Sequence, residues 1–175
     1  PPHDQYVGKS LKEYGQFSQG EFELFTHFIR PGAIVLDIGA NIGAHTIPLA
    51  QLVGPGGVVV AFEPQPTLHK ILCANLVLNS IPNVLTYAMA LGDCEGDCRF
   101  PVLDYSQPGN FGGIGADMVE EGETVPLCML DGFQLERVDF IKLDVEGFEA
   151  KVLEGAANTI ERCRPIMYIE NDRAE

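Results

Sequence analysis

Apolar and polar positions in this chain change period several times, and each change marks an element. Phe22, Phe25, Phe28 and Ile29 recur at helical spacing, and Ser18-Gln-Gly-Glu21 ahead of them has the spacing of a capping box. An amphipathic helix is therefore predicted, stopping at Pro31-Gly32. Residues 33–38 are apolar apart from Asp37 and run into a glycine-bearing turn, the pattern of a strand buried on both faces. Helical and extended signals then alternate: helix 44–53, strand 58–63, helix 68–79, strand 84–89. Pro48 removes a backbone donor inside the first of these helices, so its first turn is expected to be irregular.

The rhythm breaks over 93–122, which is rich in Gly, Pro and Asp, with strand-like pieces at 99–103 and 124–129; an inserted hairpin or lid is predicted. It resumes with strand 140–144, one long helix 148–162 and strand 165–170. The expected fold class is α/β and Rossmann-like: a mostly parallel central sheet with helices on both faces and the insertion between its third and fourth strands. In such sheets ligands gather at the carboxyl ends of the strands, and every chemically informative residue of this sequence falls at one of those ends.

Composition narrows the picture. At 175 residues, 46% hydrophobic and 21% charged, the chain suits one globular core. A net charge of −14 opposes a polyanionic partner, so no nucleic acid is expected. No apolar run reaches the roughly 18 residues of a membrane span, and residues 1–10 lack a signal-peptide pattern, which makes a cytoplasmic setting the expectation. The five cysteines are scattered and odd in number, as for reduced thiols; Cys94 and Cys98 lack the second pair or nearby His that a metal site needs.

The strongest motif is VLDIGANIG at 35–43. Gly39 and Gly43 permit close backbone approach, free amides at the following helix start suit a carboxylate, and Asp37 suits an ammonium. Glu63 lies 20 residues beyond Gly43, where an acidic side chain accepts from a ribose. Asp93, in Ala-Leu-Gly-Asp at 90–93, is placed to accept from an adenine amino group. The turn lacks the G-x-G-x-x-G spacing of a pyrophosphate cradle, which disfavours a nicotinamide or flavin cofactor and favours S-adenosylmethionine, whose amino-acid end matches a site of amides and one carboxylate. Asp144 and Glu146 follow the fourth predicted strand, and Glu170, Asn171 and Asp172 follow the fifth. On neighbouring strands they would converge on one rim able to orient a hydroxyl, act as general base or hold Mg²⁺. Asn110 sits in a glycine-flanked loop of the insertion; His3, His27 and His69 belong to no motif.

With these residues in view, the sequence resembles the FkbM family of S-adenosylmethionine-dependent methyltransferases from about Gly20 to Glu170, through VLDIGANIGAHT (35–46), AFEP (61–64) and, most specifically, VDFIKLDVEGFE (138–149). The resemblance implies a class I methyltransferase fold, with residues 33–175 as the cofactor-binding domain and 1–32 as an N-terminal segment whose helix packs on it. It implies Asp37, Gly39, Asn41 and Gly43 around the methionine part, His45 and Thr46 beside them, Glu63 on the ribose and Asp93 at the adenine. It also implies methyl transfer to an oxygen of a small-molecule hydroxyl acceptor such as a sugar or natural product, with Asp144, Glu146 and Glu170 as the catalytic candidates. Asp144, Asn171 and Asp172 are similar to the Mg²⁺ site of catechol-type O-methyltransferases. A sheet of this kind normally adds two strands after the fifth, so the natural protein is expected to continue beyond Glu175. The competing readings are a non-catalytic cofactor-binding or scaffold domain, a nicotinamide-dependent dehydrogenase, and a base methyltransferase, whose Asn/Asp-Pro-Pro-aromatic signature is missing after Leu143.

Overall fold

The computed structural model describes residues 3–114 and 122–170. In chain order its elements are α1 (Val7–Tyr14), α2 (Gln19–Phe28), β1 (Ile34–Ile38), α3 (Thr46–Val53), β2 (Val58–Phe62), α4 (Pro66–Leu78), β3 (Val84–Tyr87), β4 (Ala90–Leu91), β5 (Gly96–Phe100), β6 (Glu123–Cys128), a 3₁₀ turn at Leu130–Phe133, β7 (Phe140–Leu143), α5 (Glu149–Gly155), α6 (Ala157–Cys163) and β8 (Ile166–Ile169). Five strands pair in parallel in the order β3-β2-β1-β7-β8. The chain crosses from one half of this sheet to the other between β1 and β7, so a crevice opens at their carboxyl ends. This is the mostly parallel, Rossmann-like α/β sheet that the alternation of patterns implied, and it fits the class I methyltransferase fold that the resemblance implied.

The inner strands read as apolar runs because helices cover both faces. On one face Leu36, Ile38, Val60, Phe62, Ile141 and Leu143 pack with Val152 and Ala156 at α5 and with Leu130. On the other, Val35, Val59 and Phe140 meet Phe25 of α2, Ile29, and Leu49, Ala50 and Val53 of α3. Asp37 and Lys142 belong by strand alternation to this second face and lie opposite each other in register. The insertion supplies a second sheet, β4-β6-β5, with β5 and β6 antiparallel and β4 parallel to β6.

Three local expectations are corrected. Ser18 adopts a left-handed backbone (φ 48°) and makes no capping hydrogen bond. A capping box needs an extended N-cap, and Glu21, its other half, instead approaches His45 with 3.3 Å between Oε2 and Nε2. The helix expected from residue 44 begins at Thr46, which puts Pro48 in the first turn, where its missing N–H has no intrahelical partner to lose. The long helix 148–162 is two helices broken at Ala156. Asp131, distant in sequence, accepts from the Asn158 and Thr159 amides at 2.9 and 2.7 Å and so caps α6. Asp131→Ala is expected to cost about 1–2 kcal/mol, the loss of an N-cap, and to lower the thermal midpoint; an unchanged midpoint would show that the break is set elsewhere.

Candidate functional site

A cavity of about 310 Å³ occupies the crevice at the carboxyl ends of β1, β2, β7 and β8, within the size range of small-ligand sites. Its floor is Ile38, Gly39, Ala40 and Asn41 after β1. Glu63, Pro64 and Gln65 after β2 form one wall, and Lys142, Asp144, Val145 and Glu146 at β7 form the other with Glu170 beyond β8. Tyr6, Val7, Phe17 and the insertion residues Asn110, Gly112, Gly113 and Ile114 complete it.

The turn after β1 is shaped by close backbone packing. Gly39 has φ +85°, and a Cβ there would collide with the Asp144 carbonyl oxygen, so the ends of β1 and β7 meet backbone to backbone. Asn41 is also left-handed (φ 52°). Its amide donates to Glu63 Oε2 at 2.8 Å, and the Gln65 amide donates to Glu63 Oε1 at 2.8 Å. Each carboxylate oxygen keeps one lone pair for a further donor. Burial pushes the Glu63 carboxyl up to about 7 even though both amides favour its ionised form.

Lys142 is the residue that sequence reasoning passed over. Its ammonium is almost fully buried, 3.1 Å from Asp144 Oδ2 and 3.4 Å from Asp37 Oδ1, and donates to the Gly39 carbonyl at 3.3 Å. Burial opposes its charge, but Asp37 and Asp144 outweigh that and raise its pKa above the ordinary lysine value. The available signal was a lone lysine between Ile141 and Leu143 in an apolar strand, a residue type almost never buried unless paired. Asp144 is held below the usual carboxylate range: burial works against this, while Lys142 and a hydrogen bond with Glu170 prevail. His45 is lowered by burial and then by Lys142, with Asp37 and Glu21 pulling the other way.

Of the residues singled out in the sequence, Gly39, Asn41, His45, Glu63, Asp144, Glu146 and Glu170 line the cavity, as does Asn110, whose Oδ1 accepts from the Gly113 amide at 3.0 Å. Asp37 and Thr46 stand just behind the lining, joined by a 2.6 Å hydrogen bond from Thr46 Oγ1 to Asp37 Oδ2. Gly43 (φ +89°) makes room for Leu72 of α4. Asp93 is exposed and does not reach the cavity, whose lining there is Met89, Ala90 and Leu91: β4 pairs with β6 and carries the following turn outward. Asn171 and Asp172 lie outside the described residues. Among the described residues no group of three or more His, Cys, Asp or Glu is arranged to hold a metal ion, and no helix is long and apolar enough to cross a membrane.

Among the described residues Asn41 Oδ1 is buried without a hydrogen-bond partner, and Asp37 Oδ1, also buried, has no hydrogen bond but lies 3.4 Å from the Lys142 ammonium. Groups so placed are costly unless a ligand satisfies them.

Comparison with known proteins agrees with this architecture. Residues 37–175 match the family model described as the methyltransferase FkbM domain. The chain belongs to the FkbM methyltransferase domain family. It is 37% identical to the AMB antimetabolite synthetase AmbE of Pseudomonas aeruginosa over 83% of its own length and 9% of that protein's. It is 45% identical to 31-O-demethyl-FK506 methyltransferase FkbM of Streptomyces tacrolimicus over a shorter stretch, 30% of the chain and 20% of the relative. In fold it is similar to the crystal structure of methyltransferase FkbM from Methylobacillus flagellatus, with a TM-score of 0.57 and 17% identity, covering 85% of this chain and 39% of that one. The chain thus spans well under two thirds of each of these proteins.

Proposed function

We propose that this domain binds S-adenosylmethionine in the crevice and transfers its methyl group to a hydroxyl oxygen of a small molecule. The observation that carries the reading is the acceptor set: Asn41 Oδ1, buried and unpartnered beside the Gly39 turn, and the Glu63 carboxylate opposite offer acceptors for an ammonium and for ribose hydroxyls in one cavity, with the Asp37 carboxylate just behind the lining. The family membership supports the same reading, and the FK506 relative's name specifies methylation at an oxygen.

When bound, S-adenosylmethionine supplies an electrophilic methyl carbon on a sulfonium. Asp37, Gly39 and Asn41 hold its amino-acid end and Glu63 its ribose. Asp144, kept ionised, is a weak base, so its part is to accept a hydrogen bond from the acceptor hydroxyl and align the oxygen for in-line attack. The proton displaced from the hydroxyl passes to a rim carboxylate other than Asp144, namely Glu146 or Glu170.

Calorimetric titration of the purified chain with S-adenosylhomocysteine, with and without Mg²⁺, tests the reading. Saturable one-site binding is expected, and its absence in folded protein would refute it. The pH dependence has a definite sign. Ribose hydroxyls donate to the ionised form of Glu63, so affinity falls as pH drops below about 7, approaching tenfold per unit, with proton release on binding in that range. In the free protein the sign is the reverse: a carboxyl raised from 4.5 to about 7 contributes stability below about 4.5 that is lost as pH rises through about 7. A flat affinity profile from about pH 5.5 to 8 would remove Glu63 from the ligand.

A further inference from the structure

We propose that Lys142 is a positioning residue for the amino-acid end of the cofactor, its ammonium keeping Asp37 and the Gly39 carbonyl in a binding arrangement on one side while it steadies Asp144 on the other. This rests on the cofactor reading above and assigns a role to a residue that reading does not use.

Lys142 is the only Lys or Arg among the described residues lining the cavity. Its three N–H groups face three acceptors, Asp144 Oδ2 at 3.1 Å, the Gly39 carbonyl at 3.3 Å and Asp37 Oδ1 at 3.4 Å. An ammonium has three protons, so none is left over for a ligand, and Lys142 acts through its neighbours. Asp37 is fully buried, and its other oxygen is occupied by Thr46. A buried charge in that setting is costly unless an opposite charge lies beside it. The Lys142 side chain is supplied by β7 and Asp37 by β1, in register across the pair at which the sheet reverses its order. One cation therefore pairs with the cofactor-side carboxylate and the rim carboxylate together.

The consequence is selective. Loss of the ammonium leaves the buried Asp37 carboxylate without its neighbouring cation and frees the Gly39 carbonyl to shift, which damages recognition of an amino-acid ammonium. Glu63 is held by the Asn41 and Gln65 amides, neither of which bonds to Lys142, and the Lys142 charge acts on Glu63 less than burial, those two amides and Asp37 do.

The test compares S-adenosylhomocysteine with 5′-methylthioadenosine, which has the same nucleoside and no amino-acid end, by calorimetry on the whole chain. Lys142→Met is expected to weaken S-adenosylhomocysteine about tenfold or more, while methylthioadenosine changes by less than about threefold. Equal weakening of both ligands would mean that Lys142 only supports the fold, and no weakening of either would mean that it does nothing for the site; both overturn the proposal. Should Lys142→Met fail to fold, Asp37→Asn decides, since it is isosteric and leaves Lys142 balanced by Asp144. The same selective loss is expected there, and unchanged S-adenosylhomocysteine affinity overturns the proposal. Wild-type protein that binds methylthioadenosine and not S-adenosylhomocysteine also overturns it. Wild-type protein that binds neither refutes the cofactor reading itself.

Discussion

Replacing Gly39 with alanine is expected to lower the thermal midpoint on the order of 10 °C for a domain of this size and to abolish binding of S-adenosylhomocysteine. Two effects act on the same atom. At φ +85° a β-carbon is strained, at about 1–2 kcal/mol for a left-handed L-residue. The new methyl would also run into the Asp144 carbonyl oxygen, which is backbone and is tied down because the Asp144 amide donates to the Ile38 carbonyl at 3.0 Å. Overpacking of this kind adds about 1–3 kcal/mol. Relief requires β7 to move away from β1, and that movement displaces Lys142 and Asp144 together. Alanine at Gly20 is the control, because nothing lies within 4 Å of a Cβ there. A Gly39→Ala protein with wild-type midpoint and affinity would refute the close-approach reading of the turn.

Glu63→Ala is expected to weaken S-adenosylhomocysteine by about 100-fold or more, the loss of two charge-assisted hydrogen bonds at about 1.5–3 kcal/mol each. The thermal shift produced by saturating ligand should vanish with it. Glutamine is not a silent replacement here. Both carboxylate oxygens accept from backbone N–H groups of Asn41 and Gln65, so an amide nitrogen at either position would set donor against donor. Both substitutions should therefore reduce binding, with glutamine also disturbing the Asn41 turn. Retained affinity in Glu63→Ala would place the ribose elsewhere in the cavity.

Some of the site could be read from single positions and some could not. Gly39, Asn41 and Glu63 were legible because a strand ending in a glycine turn, with an acid at the next strand's end, is a local pattern with a fixed geometric meaning. Asp144, Glu146 and Glu170 were legible as a convergent set only on the assumption that their strands are neighbours, and β7 and β8 do pair. Lys142 was hidden in plain view, because a period argument counts it as an interruption of an apolar strand, and its partner Asp37 lies 105 residues earlier. Asp93 is the opposite case, exposed and outside the cavity lining. Its sequence position suits an adenine contact, but whether the turn faces inward depends on β4 pairing with β6, a strand contributed by the far side of the insertion.

The N-terminal segment makes the same point. Nothing in residues 3–14 announces a ligand, but Asp4 accepts from the Tyr6 and Gly8 amides at 3.0 and 2.7 Å, launching α1. The Gln5 amide donates to the Gly109 carbonyl at 3.0 Å, drawing this segment against the insertion. Gln65 in turn donates to the Phe111 carbonyl at 2.9 Å. Tyr6 and Val7 thereby become cavity wall.

The sequence by itself determined the alternation of strands and helices, the burial of β1, β2 and β7 on both faces, and the glycine turn. Each of these follows from side-chain period and backbone freedom within a few residues. Tertiary structure alone decided that Lys142 neutralises Asp37 and Asp144, that Asp131 splits the last long helix, that Glu21 turns to His45 instead of capping its own helix, and that Asp93 stays outside. Those outcomes depend on strand register and on which distant segments meet, where one buried charge or one unpaired amide outweighs local preference.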